Sequence, residues 1–71
     1  MRFTDRQLEV LQAIRQLSAR GYPPTYRELS AALGIRSNNG VRDHLRALEN
    51  KGAITRAPGL ARSIVLTEIF R

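Results

Sequence analysis

The sequence predicts a mainly α-helical fold finished by a small β-hairpin, and three observations predict it. Two capping-box tetrads, Thr4-Asp5-Arg6-Gln7 and Thr25-Tyr26-Arg27-Glu28, each open a stretch of apolar residues at three- and four-residue steps. Gly21, Gly34 and Gly52 stand where such stretches stop. Beyond Gly52 the apolar period drops to two, on either side of Pro58-Gly59. A chain of 71 residues has room for one domain, burying about 60% of the surface its unfolded form exposes. Net stability is then roughly 4 to 10 kcal/mol.

The first helix is expected over about residues 5 to 19. Thr4 caps it, Gln7 reaches back, and Phe3 staples onto Leu8. Leu8, Leu11, Ile14 and Leu17, widened by Val10 and Ala13, form its apolar stripe. Tyr22-Pro23-Pro24 cannot continue it, because each proline lacks an amide donor and pushes its predecessor towards extended geometry. A second helix, about residues 26 to 33, carries Leu29, Ala32 and Leu33 and stops at Gly34, with Ile35 folding back onto Leu29. Ser37 is the next N-cap, and Val41, Leu45 and Leu48 share one face of a third helix over about residues 38 to 50. Two helices joined by so short a glycine-containing turn have the spacing of a helix-turn-helix. Ala53 to Arg56 and Arg62 to Leu66 are expected to pair as a hairpin around a Pro-Gly type II turn, a wing over about residues 53 to 67 with Ile54, Ile64 and Leu66 facing inward.

Twelve basic residues, eleven of them Arg, stand against six acidic ones for a net charge of +6. Residues 36 to 62 hold six of those cations and two acids, so four units of net charge fall on the turn, third helix and wing. That asymmetry points to an anionic partner, against the plain alternative of a solvated basic face. With no Cys and a single His, neither a disulfide, a thiolate nucleophile nor a Cys- or His-rich metal site is available. Ser37 and His44 lie two helical turns apart with no third residue to orient the His, and no phosphate-loop glycine motif occurs, so catalysis is not expected. No cofactor, small-molecule ligand or membrane segment is implied; a cytoplasmic, nucleoid-associated protein is expected.

Nucleic-acid recognition needs forked polar side chains for base edges, with cations and helix N-termini for phosphates, and residues 36 to 46 offer both. Ser37 with the first amides of the third helix can hold a phosphate; Asn38 and Asn39 suit adenine and Arg42 suits guanine. His44, next to core Leu45, reads as a packing residue, and Tyr22 and Tyr26 as core rim.

Gly21-Tyr22-Pro23-Pro24-Thr25, Glu28-Leu29, Leu33-Gly34-Ile35, Ser37, His44-Leu45, Leu48-Glu49 and Lys51-Gly52-Ala53-Ile54 together resemble the amino-terminal winged helix-turn-helix domain of the LexA family, repressors of the bacterial DNA-damage (SOS) response. The resemblance runs from Phe3 to Leu66. It implies a three-helix winged fold that binds a double-stranded operator and represses transcription, reading bases with Ser37, Asn39, Gly40, Arg42 and Asp43. Asn38 joins that set from its own chemistry. Contacts to the DNA backbone are expected from Thr25, Arg27, Arg36, Arg46, Lys51, Arg56 and Arg62. Gly40 departs from a helix former at a cost of about 1 kcal/mol and lacks a methyl that could meet thymine. The residues at 42 and 43 vary between LexA branches, so the operator is not carried over. LexA proteins continue into a protease-like domain that dimerises and cleaves its own chain, and neither property is expected of these 71 residues. One module contacts few bases, which calls for a homodimer on DNA or pairing with a LexA-like partner. The alternative, a protein-interaction module or stand-alone phage-type regulator, is suggested by the apolar run Ile64, Val65, Leu66, Ile69 and Phe70.

Overall fold

The computed structural model describes residues 2–57 and 59–68, the side chain of Asn38 excepted. The elements run α1 (Asp5–Ser18), α2 (Tyr26–Leu33), α3 (Asn38–Asn50), β1 (Ile54–Thr55) and β2 (Val65–Leu66). This is the winged helix-turn-helix expected from the sequence.

Each helix starts where a side chain captures a first-turn amide that has no partner inside the helix. Thr4 Oγ1 accepts from Gln7 N–H and Gln7 Oε1 from Thr4 N–H, both at 3.0 Å. Thr25 and Glu28 repeat the exchange at 3.1 and 2.8 Å. Ser37 Oγ accepts from Asn39 N–H at 3.2 Å. The helix-turn-helix corner is closed by Gly34 at φ 70°, a conformation that leaves Ile35 N–H on Ser30 O at 3.0 Å. The same device ends α3: Gly52 turns to φ 79° and Ala53 N–H reaches Leu48 O at 3.0 Å.

The core lies where the three helices and the wing meet. Val10, Leu11 and Ile14 of α1, Leu29 of α2, and Val41, Leu45 and Leu48 of α3 are buried together with Ala53, Ile54 and Ile64. Burying each of the larger ones contributes about 1.5 to 3 kcal/mol. Phe3, Leu8, Leu17, Leu33, Ile35 and Leu66 pack around them.

The wing differs from the expected hairpin in extent. Two antiparallel pairs form its ladder, Ile54 with Leu66 and Thr55 with Val65, extended by Thr67 N–H to Ala53 O at 2.9 Å. Side chains take over beyond that point. Ser63 Oγ accepts from Ala57 N–H at 2.9 Å and lies 3.1 and 3.2 Å from Ala57 O and Leu60 O, either of which can take its proton. The tip turns as the sequence implies, with Gly59 at φ 82° and Leu60 N–H on Ala57 O at 3.2 Å. Pro58, Ile69 and Phe70, on which the turn and apolar-run expectations partly rest, lie outside the described residues. No helix among the described residues is long and apolar enough to cross a membrane.

Candidate nucleic-acid interface

Two sets of cations divide the expected site. Lys51, Arg56 and Arg62 are committed to acceptors of the fold. Lys51 Nζ donates to Arg2 O and Gln7 Oε1, both at 2.7 Å, and sits 5.3 Å from the centre of the Phe3 ring, so it ties the end of α3 to the start of α1. Arg56 Nε donates to Glu49 Oε1 at 3.1 Å and Nη1 to Tyr26 Oη at 2.6 Å, holding β1 against α3 and α2. Arg62 Nη1 donates to Pro23 O at 2.9 Å and Glu28 Oε1 at 3.0 Å, fixing the wing to the entrance of α2.

Glu28 is the hub of the last clip. Its Oε1 also takes Arg20 Nη2 at 2.6 Å and Thr25 N–H, and both guanidinium groups lie over the Tyr22 ring, at 4.1 Å for Arg20 and 4.9 Å for Arg62. The Arg20 hydrogen bond, followed by that from Thr25 N–H, holds the Glu28 carboxyl at about 2, well below its usual 4.5. Tyr22 is thus a stacking surface for two arginines, and it stays half exposed.

The second set is free. Arg27 on α2, Arg36 in the turn, and Arg42 and Arg46 on α3 are exposed and make no hydrogen bond or ion pair among the described residues. Asn39 and Asp43 are exposed beside them, as is the N-cap Ser37. On a helix whose inner face is Val41, Leu45 and Leu48, the outermost direction belongs to Asn39, Asp43 and Arg46. Arg42 lies to one side of it and lines the cleft between α3 and the wing with Tyr26, Arg56 and Gly59. Gly40 lies on the opposite flank, where an added Cβ would come 3.2 Å from Ile35 Cγ2. A methyl there meets the turn, which gives glycine a packing reason. His44 is half-buried on the same flank. Thr25 is half-buried with its oxygen already accepting at the cap.

The structure therefore brings Ser37, Asn39, Arg42, Asp43, Arg46, Arg36 and Arg27 to the outer surface of the helix-turn-helix and draws Lys51, Arg56 and Arg62 into the frame. Tyr26 was not among the expected contacts; its place directly after the N-cap of α2 was the only signal in the sequence that it borders this surface. Among the described residues no three His, Asp or Glu side chains gather as a metal site.

Comparison with known proteins agrees with this geometry. The family model described as the LexA DNA binding domain matches residues 1–63. The LexA repressor of Anaeromyxobacter sp. strain Fw109-5 is 60% identical over 65 residues, 90% of this chain and 28% of the relative. That of Sorangium cellulosum is 60% identical over 62 residues, covering 86% of this chain and 27% of the relative. That of Marinobacter nauticus is 51% identical over 69 residues, 96% of this chain and 34% of the relative. The chain spans about a third or less of the length of these curated relatives. On the residues matched and the identity over most of its length, the chain belongs to the LexA DNA-binding domain family.

Proposed function

We propose that this chain is the operator-reading module of a LexA-type transcriptional repressor of the DNA-damage response, acting by occupying double-stranded DNA rather than by catalysis. The observation that carries the reading is the exposed outer face of α3, which offers Asn39, Asp43 and Arg46 to a partner while their side chains make no hydrogen bond or ion pair among the described residues. α3 enters the major groove, whose base edges present the donor and acceptor patterns that such side chains read. Ser37, Asn38, Asn39, Arg42 and Asp43 form the reading edge, with Gly40 set back on the flank that packs against the turn. Arg27, Arg36 and Arg46 meet phosphates on either side, where Coulomb attraction fixes register without regard to sequence. Two copies on half-sites about 10 bp apart, or a multiple of that, supply the affinity a single module lacks.

Titration of the chain against a duplex selected from a random pool and against unselected duplex, at two salt concentrations, tests the proposal. Tighter binding to the selected duplex is expected, with both affinities weakened by salt. Equal affinity for the two refutes sequence reading, and salt-independent binding refutes phosphate contact.

A further inference from the structure

Tyr26 of α2 and Arg42 of α3 both line a cleft beside the wing, whose two adjoining parts each measure about 310 Å³. That is room for roughly ten waters, and so for a partly hydrated phosphodiester. The Tyr26 hydroxyl accepts from Arg56 Nη1 at 2.6 Å, which leaves its own proton to donate, and no acceptor among the described residues takes it. Arg42 brings an uncommitted guanidinium to the same space. The acid in the cleft, Glu49, is neutralised by Arg56 at 3.1 Å, so Arg42, Arg56 and Glu49 together leave one net positive charge. Gly59 forms the wing side without a side chain, which lets a backbone approach closely, and Leu60, 66% exposed, offers an apolar edge to a sugar.

We propose that this cleft is a seat for one phosphodiester of the DNA strand passing between α3 and the wing, with Tyr26 donating its phenolic proton and Arg42 its guanidinium N–H groups to the same phosphate. The inference rests on the proposed function and moves Arg42 from base reading to backbone binding. Arg56 supports the seat through Tyr26: it donates to the phenolic oxygen and so leaves the phenolic proton for the phosphate. A phosphate there is gripped from the helix and from α2 at once, and the strand is guided towards the wing regardless of sequence.

Fluorescence-anisotropy titration of Arg42→Ala and Tyr26→Phe on selected and unselected duplexes tests the seat, with thermal melts to verify that each variant is folded. Arg42→Ala is expected to weaken binding to both duplexes by the same factor, about tenfold, and to reduce the salt slope by about 0.9. Tyr26→Phe is expected to weaken both about fivefold with the slope unchanged, since a hydrogen bond and no charge is lost. Ethylation of individual phosphates should hinder the native chain at one phosphate per half-site, and that hindrance should vanish for Arg42→Ala. An Arg42→Ala chain that loses discrimination at one base pair while keeping its affinity for unselected duplex overturns the seat. So does a folded Tyr26→Phe chain that binds like the native one. A native chain that binds neither duplex overturns the proposed function itself, whereas native binding matched by both variants overturns the seat alone.

Discussion

The division of cations into bound and free sets predicts how steeply salt weakens DNA binding. Seven cations of the turn, helices and wing were expected at DNA, Arg42 at a base and Arg27, Arg36, Arg46, Lys51, Arg56 and Arg62 at the backbone. Three of them donate to acceptors within the fold. Each phosphate neutralised contributes about 0.9 to the slope of log affinity against log salt. Four free arginines therefore give a slope near −3.6 per module, a loss of about 150-fold between 50 and 200 mM salt. Seven would give about −6.3, a loss on the order of 6,000-fold over the same range. Anisotropy titrations of a half-site duplex at four salt concentrations separate the two. A slope of −6 or steeper means that the clips of Lys51, Arg56 and Arg62 open onto the DNA, and the reasoning from the free chain fails. Arg46→Ala should subtract about 0.9 while leaving the ratio of selected to unselected affinity unchanged.

Two other consequences concern the frame. Glu28 titrates at about 2 in the folded chain and near 4.5 otherwise, so the stability it lends is present above pH 4.5 and is lost as pH falls from 4.5 through 2. Glu28→Gln should flatten the stability profile in that window, measured by circular dichroism in urea; an acid limb that overlays the native one contradicts the assignment. Leu45 is fully buried between the helices, and Leu45→Ala should cost about 2.7 to 5 kcal/mol, lowering Tm by about 15 °C or more. A loss below about 1 kcal/mol in a denaturant titration counts against the packing described.

Helix starts and stops were legible because they are local. Thr4, Thr25 and Ser37 meet amides two or three residues away, and Gly34 and Gly52 adopt the left-handed geometry that their places at helix ends require. The core faces followed from the periodicity of residues such as Val41, Leu45 and Leu48. The wing was legible as a hairpin and not in its extent, because Ser63 and Arg62 bond outside the ladder. Roles of individual cations were the least legible. Arg56 finds Tyr26 across 30 positions, Arg62 finds Glu28 across 34 and Lys51 finds Gln7 across 44, and no count of charges along a chain reports such partners. Their chemistry suits a phosphate as well as a carboxylate or carbonyl, so only the fold decides between them.

The side chains at the outermost edge of α3 share no bond with the clips that hold the wing and helices together. Asn39, Asp43 and Arg46 can therefore be exchanged with little effect on folding, within the small changes usual at exposed positions. Operator preference in such a domain is free to drift, or to be redesigned, while the scaffold stays under separate selection. A library randomised at Asn39 and Asp43 should yield mostly folded chains that differ in the DNA they choose.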